Sequence, residues 1–364
     1  MTVGFFSPLP PQRTGVADYA ASLLDALKPY CSIRVAPRDA AINLYHIGNN
    51  QLHAEIYTRA LEQPGVVVLH DAVLHHFFLG YLNEHDYTEE FVYNYGSWNR
   101  HEAESLWRSR ARSGADARYF GYPMLRRICE RSLAVIVHNP AAAALVLQHA
   151  PGARVHEIPM IAAQAEPARA QDVDGIRRDL GVSGRTCLAG IFGYLRETKR
   201  IASVARTFNR LAGLDLALVL AGPMDSRDLE RGLKPYSSAP WLRRVEFLKG
   251  SRFRGLAQAV DLCINLRYPN AGETSAIGVT LMAAGKPVLF SDDQTVARLP
   301  QDACLRVQTG IQEEPHLEYV LRWLQQSSQH RFEIGRRAAS YIARQHAPEN
   351  VGALYWSALT SAVR

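Results

Sequence analysis

No run of 18 apolar residues occurs in the chain, and its start, MTVGFFSPLPPQRTG, lacks a charged segment followed by a long apolar one. The expectation is a protein with neither a membrane-spanning helix nor a secretory signal. Cysteine is sparse: Cys31, Cys129, Cys187, Cys263 and Cys304 lie far apart, without a Cys-x-x-Cys pair, most of them inside apolar runs such as LCINL and TCLAGIF. That spacing argues against a disulfide framework or a zinc ribbon and predicts reduced core thiols of a cytoplasmic protein. Gly-x-Gly-x-x-Gly is missing, and so is the P-loop pattern, which removes the main support for a nicotinamide dehydrogenase or a P-loop nucleotidase. There is no low-complexity tract and no repeat of solenoid length.

What is present is an ordinary globular composition, 364 residues of which 47% are hydrophobic and 21% charged. Single cores rarely grow beyond about 250 to 300 residues, so two domains are expected. The net charge of +6 is unevenly spread: residues 1–165 carry 14 Lys/Arg against 15 Asp/Glu, and residues 196–254 carry 13 against 6. The excess suits a small anionic ligand or an acidic surface rather than nucleic acid, or else a solvated basic face. Ten of the 13 histidines fall in residues 1–165.

Short β-rich runs alternate with helical patterns from end to end, the signature of strand-helix units and parallel sheets. In the first half the runs are Val3–Phe6, Ile33–Ala36, Asn43–Ile47, Val66–Leu69, Ala134–Val137 and Val155–Ile158. In the second they are Cys187–Phe192, Ala217–Leu220, Val245–Leu248, Leu262–Leu266, Pro287–Phe290 and Cys304–Val307. The predicted class is α/β, with two Rossmann-like, doubly wound parallel-sheet domains. Ala162–Val182, rich in Ala, Pro and charge, reads as the join. Residues 75–131 form a helical insertion that holds Arg108, Arg110, Arg112, Arg118, Arg126, Arg127 and Arg131 beside Trp98 and Trp107. It reads either as a solvated helical face with i,i+4 pairs to Glu102, Glu104 and Glu130, or as a docking surface for a membrane or an acidic partner. Arg336–Arg364 is helical in pattern with a break near Pro348.

Four segments carry candidate chemistry. In FFSPLPPQRTGVADY, a strand, a proline-rich loop and Gly15 lead into a helix; the glycine admits a close ligand and the helix N-terminus favours an anion, with Asp18 in the first turn. In PGVVVLHDAVLHH, an apolar strand ends at His70 and Asp71, where an ionisable pair faces a crevice. A metal reading of His70, Asp71, His75 and His76 is disfavoured by the His-x4-His-His spacing, and His75 and His76 read as capping or packing residues. In LAGIFGYLRETKR, Gly193 makes a tight turn while Arg196, Lys199 and Arg200 set cations near a helix start, which suits a diphosphate between them. In LRYPNAGETSAIGVTLMAAGKP, a loop presents Glu273, Thr274 and Ser275 at the start of a helix stopped by Gly285 and Pro287. A carboxylate, hydroxyls and helix amides together suit a polyol phosphate.

These segments, with YHIGNN, in this order along nearly the whole chain, resemble the glycosyltransferase family 4 enzymes of GT-B architecture. The resemblance implies two Rossmann-like domains facing a central cleft: residues 1–165 on the acceptor side, residues 166–344 binding the donor, and a helix at 345–364 packing back on the first. It implies a retaining, metal-independent hexosyltransferase. Such an enzyme moves a sugar from a UDP- or GDP-linked donor to a glycan, lipid-linked or other hydroxyl acceptor in polysaccharide, lipopolysaccharide or other glycoconjugate synthesis. Its setting would be the cytoplasm or the inner face of a membrane, with no cofactor. By resemblance, Gly15 lies against the donor phosphates, His70 is the active-site histidine and Lys199 neutralises the leaving diphosphate. Glu273 holds donor-sugar hydroxyls, the amides of Thr274 and Ser275 lie near the phosphate, and Gly193 and Arg196 complete the donor site. Asn49, Asp71 and Asp18 fall on the acceptor side. Two departures stand out: Thr280 replaces the second glutamate of the family's Glu-x7-Glu signature, and Tyr194 stands where many members have arginine. The alternatives are a nucleotide-sugar epimerase or hydrolase, or an inactive nucleotide-sugar-binding protein.

Overall fold

The computed structural model describes residues 1–12, 14–162, 169–224, 226–246 and 250–363. By its contacts the chain forms two compact units. One is Met1–Ile161 with Pro269–Thr274 and Gln345–Arg364; the other is Ala162–Tyr268 with Ser275–Arg344. The predicted boundary at 165/166 lies outside the described residues.

The first unit holds strands β1 (Thr2–Phe6), β2 (Ser32–Val35), β3 (Ile42–Ile47), β4 (Val66–Leu69), β5 (Ala134–Val137) and β6 (Val155–Glu157). They form one parallel sheet in the order β2-β1-β3-β4-β5-β6, so the order reverses between β1 and β3. Strand residues alternate between two cores, as a period of two requires: Tyr45, Val67, Leu69, Val135 and Val137 pack on one face and Leu44, Val66, Val68, Ala134 and Ile136 on the other. Because both faces are covered, β4 and β5 read as unbroken apolar runs. Helices Gly15–Leu27 and Pro348–Val363 cover the second face, joined by a 2.7 Å hydrogen bond between the Tyr19 and Tyr355 hydroxyls. A Cβ on Gly352 would lie 2.5 Å from the Ala26 carbonyl oxygen, so the two helices pack with backbone nearly touching backbone.

The other face carries the helical insertion, whose arginines are largely paired. Arg127 Nε donates to Glu90 at 2.5 Å with its guanidinium 3.8 Å from the Tyr93 ring centre, and Arg126 pairs with Glu130 at 2.8 Å across one helical turn. His75 is buried there, hydrogen-bonded to the Tyr87 hydroxyl at 2.8 Å and to the Tyr122 carbonyl at 3.1 Å.

The second unit holds β7 (Cys187–Phe192), β8 (Leu216–Ala221), β9 (Leu242–Val245), β10 (Leu262–Asn265), β11 (Val288–Ser291) and β12 (Leu305–Val307). They are parallel in the order β12-β11-β10-β7-β8-β9, with the reversal between β7 and β10. The fold class expected from sequence is therefore observed twice over: two six-stranded parallel sheets, each wrapped by helices.

Two sequence expectations need correction. The ninth strand runs over Leu242–Val245, not Val245–Leu248, of which Phe247 and Leu248 lie outside the described residues. It is an edge strand with only part of its surface buried, so Arg243 and Arg244 fit within it and hide it from an apolar search. The join expected at Ala162–Val182 includes a helix, Ala170–Asp179. Ile176 packs it on the core, and Arg177 anchors it by donating to the Ala259 and Thr186 carbonyls and to Asp261. All five cysteines are free, four of them buried, and burial pushes the Cys129, Cys187 and Cys263 thiols up to about 12. Among the described residues no helix is long and apolar enough to cross a membrane.

Candidate active site

Open α/β sheets bind ligands at the carboxyl ends of their strands, where the strand order reverses. In the first unit that edge is lined by imidazoles. His46 is on β3, His70 follows β4 and His138 follows β5, all buried. His46 Nδ1 lies 2.9 Å from His70 Nε2 with the rings stacked. The His138 ring is 5.4 Å from that of His70, and Tyr19 meets His70 edge-on at 5.0 Å. His138 Nδ1 donates to the Ile158 carbonyl at 2.9 Å. Burial, reinforced by the neighbouring imidazoles, holds the pKa of His46 and His70 well below the ordinary histidine value; His138, also buried, titrates near 4. At neutral pH the cluster therefore offers uncharged donors and acceptors, the groups that meet sugar hydroxyls, and no cation.

The other residues expected on this side sort by their contacts. The Asn49 amide donates to Asp71 Oδ2 at 2.8 Å, while its side-chain oxygen accepts from Phe77 N at 2.7 Å and its Nδ2 meets His76 Nδ1 at 3.3 Å. Asn49 and Asp71 thus fix the loop after β3 to the start of helix His75–Tyr81. Gly15 is the first residue of its helix, capped by the Thr14 hydroxyl at 3.0 Å from Ala17 N; among the described residues a Cβ on Gly15 would meet nothing within 4 Å. Asp18 is exposed in the same first turn.

The loop carrying Glu273 clusters with the first unit. Asn139, 3% exposed, caps helix Pro140–His149 through its oxygen and uses its Nδ2 to hold the Gly272 carbonyl at 2.9 Å and the Thr274 hydroxyl at 3.0 Å. Thr274 donates in turn to the His138 carbonyl at 3.2 Å. Ala72 N donates to the Ala271 carbonyl at 2.8 Å. Gly272 has φ +69, and a Cβ there would lie 2.8 Å from that of Ala72, so both conformation and space require glycine. Glu273 Oε2 accepts from the Ala271 amide at 2.7 Å, which orients its carboxylate.

In the second unit the corresponding edge is cationic. Gly193, φ +83, turns the chain after β7, and a Cβ on it would lie 3.1 Å from Lys199 Nζ. Lys199 Nζ donates to the Phe192 carbonyl, which keeps the ammonium beside that turn. Arg196 is exposed, its guanidinium 5.4 Å from the Tyr194 ring centre. Arg200, expected as a third ligand cation, is instead taken by Glu313, 1% exposed: Nε lies 2.9 Å from both carboxylate oxygens. Ser275 caps helix Ala276–Ala283, accepting from Gly278 N at 3.1 Å and donating to Asn265 at 3.1 Å, with Arg267 Nη2 3.3 Å away. Thr280 is half-buried within that helix.

Sequence reasoning singled out His70 but missed His46, His138 and Asn139. The signal for His138 was available, since AVIVHN repeats the pattern of VVVLHD: an apolar strand ending in histidine. His46 lies inside β3, where a lone histidine resembles a core residue. Among the described residues no group of His, Cys, Asp and Glu is arranged to hold a metal ion.

No family profile matches the chain, and no curated protein matches its sequence. Solved structures do match its fold. HepE of Anabaena, crystallised with UDP and glucose, superposes with a TM-score of 0.67 at 14% identity, over 99% of this chain and 100% of that one. Sucrose-phosphate synthase of Thermosynechococcus elongatus gives a TM-score of 0.68 at 12% identity, over 99% and 98%. WaaG, a glycosyltransferase of lipopolysaccharide biosynthesis, gives 0.64 at 15%, over 99% and 100%. The likeness is one of fold, and the fold is the GT-B architecture of glycosyltransferases.

Proposed function

We propose that the chain is a retaining glycosyltransferase. It moves a hexose from a UDP- or GDP-linked donor to a hydroxyl acceptor in the synthesis of a polysaccharide, lipopolysaccharide or other glycoconjugate. The observation that carries this reading is the position of Lys199 in the second unit, whose ammonium is held beside the Gly193 turn at the reversal of strand order. A glycine turn that opens the backbone, an ammonium beside it and a capped helix N-terminus make a site for an anion such as a diphosphate. The HepE structure, with UDP and glucose bound, supports a uridine nucleotide on this fold.

In the reaction the bond from the anomeric carbon to the diphosphate oxygen breaks and a bond to the acceptor oxygen forms on the same face of the sugar, while the acceptor hydroxyl gives up its proton to the departing diphosphate. Positive charge grows on the ring and negative charge on the departing diphosphate. Lys199, Arg196 and the amides at Ser275 stabilise the diphosphate, so protein cations do the work a divalent metal does elsewhere. Glu273, its carboxylate oriented by the Ala271 amide, accepts from donor-sugar hydroxyls, and His70 meets the sugar as a neutral imidazole. Gly193 and Gly15 admit the phosphates, and Thr274 holds the Glu273 loop. Asp18, Asn49 and Asp71 belong to the acceptor side, Asn49 and Asp71 by shaping its loop. Thr280 leaves the ribose without the second carboxylate. A peripheral contact with a membrane surface, should the acceptor be a lipid, falls to the insertion at 75–131.

Thermal melts against UDP-, GDP-, ADP- and TDP-linked sugars test the donor, because a ligand that binds only the folded state raises the melting temperature. Stabilisation by one nucleotide class, followed by acceptor-dependent release of its diphosphate, supports the proposal. Free sugar or an epimer formed without acceptor supports a hydrolase or epimerase, and stabilisation without turnover supports an inactive binding protein.

A further inference from the structure

The proposed reaction uses His70 and leaves its buried neighbour His46 without a role. His46 is fully buried on β3 among Phe5 of β1, Tyr19 of helix Gly15–Leu27 and His70, with His138 beyond. Its Nδ1 is 2.9 Å from His70 Nε2, and its own Nε2 is buried with no partner among the described residues. A neutral imidazole carries one proton, so only two arrangements satisfy this contact. If His70 donates, the His46 proton must sit on Nε2, as a buried N–H with nothing to receive it. If His46 donates, Nε2 is a bare lone pair, the less costly defect, since orphaned buried N–H groups are the rarer kind. Two neighbours follow the second pattern. His53 Nδ1 meets the His46 carbonyl at 2.8 Å and His138 Nδ1 meets the Ile158 carbonyl at 2.9 Å, each with a buried, unpartnered Nε2.

We propose that His46 is a positioning residue: it donates its Nδ1 proton to His70 Nε2 and thereby fixes His70 as the Nδ1–H tautomer, ring held in place. His70 then offers a substrate a hydrogen-bond donor and never an acceptor, the group needed to meet a hydroxyl oxygen of the transferred hexose while that hydroxyl donates elsewhere. The tautomer assignment stands on the structure alone; its consequence for turnover rests on the glycosyltransferase reading.

Both parts are tested on the full chain labelled with 15N-histidine. Long-range proton–nitrogen correlation, with His70 assigned by its disappearance in His70→Phe, should show His70 protonated at Nδ1 and bare at Nε2. In His46→Leu the two tautomers of His70 should mix. In His46→Asn, whose amide nitrogen takes the place of Nδ1, the single tautomer should return. With an active donor, His46→Leu should lower kcat about 10-fold or more with the donor KM changed by less than about 3-fold, and His46→Asn should recover most of the loss, because a misplaced group costs rate more than binding. In a His70→Phe background, His46→Leu should have no further effect on kcat.

A wild-type His70 protonated at Nε2 overturns the proposal, and this reading requires only the assigning variant, His70→Phe, to fold. A folded His46→Leu with unchanged tautomer and unchanged kcat overturns it as well. A wild-type protein that transfers no sugar overturns the functional reading instead, and the tautomer spectrum still decides the assignment.

Discussion

The two sheets share a topology of parallel strands with one reversal of order, yet the carboxyl ends of their strands carry opposite chemistry. In the first unit they present three buried imidazoles, His46, His70 and His138, kept uncharged by desolvation. In the second they present Lys199, half-exposed and tied to a main-chain carbonyl, and Arg267 beside the helix cap at Ser275. Every histidine that burial holds below its ordinary value lies in the first unit, His346 of the returning C-terminal segment included. The difference follows from what each side chain loses in leaving water. Histidine survives burial by giving up its proton, whereas lysine and arginine keep their charge only with a carbonyl, a carboxylate or solvent beside them. One scaffold thus supplies an uncharged edge suited to hydroxyls and a charged edge suited to phosphate.

The largest effect expected concerns the carboxylate that belongs to the uncharged side. Glu273→Ala should abolish transfer, while the nucleotide alone still binds in calorimetry; equal activity of variant and wild type would falsify the assignment. Next comes the ion pair of Arg200 with Glu313. Arg200→Ala strands the buried Glu313 carboxylate and should cost about 3 kcal/mol of stability in denaturant unfolding; Glu313→Gln in the same background should recover part of it. A loss no larger than that of an exposed arginine would mean the pair is not what neutralises this cation.

On the charged edge itself, Lys199→Ala should lower turnover roughly 10²-fold, the usual loss for one preorganised electrostatic group. Unchanged rates in a folded variant would remove Lys199 from the chemistry. A separate effect, read as stability against pH and not as turnover, divides the units. Folded His53 and His138 titrate near 4 and His75 near 3, below the ordinary 6.5. As pH falls through 6.5 the unfolded chain therefore takes up protons that the folded chain refuses. Stability is complete above pH 6.5 and lost progressively toward pH 4, by about 1 kcal/mol per pH unit for each such group within that window. Hydrogen exchange at pH 5 should show protection falling first in the first unit; equal loss in both units would contradict the comparison.

Much of this arrangement was legible in the residues. Eleven of the twelve strands lie where β-rich runs bounded by turn residues place them, and the inner ones are apolar throughout because they are covered on both faces. The exception, β9, is an edge strand in which Arg243 and Arg244 interrupt the apolar signal. The helix Ala170–Asp179 was hidden for a related reason: Arg177 holds it by hydrogen bonds to carbonyls, and its apolar contact comes largely from Ile176. At the candidate site, Lys199, Ser275 and Gly193 could be picked out, since glycine turns and helix caps have local signatures. The partnership of Arg200 with Glu313, 113 residues away, could not. Nor could the contacts of His46 with His70 or of Asn139 with Thr274, which exist only because neighbouring strands and a distant loop bring them together.

On the proposed function, the charged edge takes a nucleoside diphosphate. Calorimetric titration of the full chain with UDP and with GDP, repeated on Lys199→Ala, tests it most directly. Saturable binding of one of the two to the wild type and a clear weakening in the variant are expected. No binding of either nucleotide, or equal affinity of wild type and variant, would contradict it.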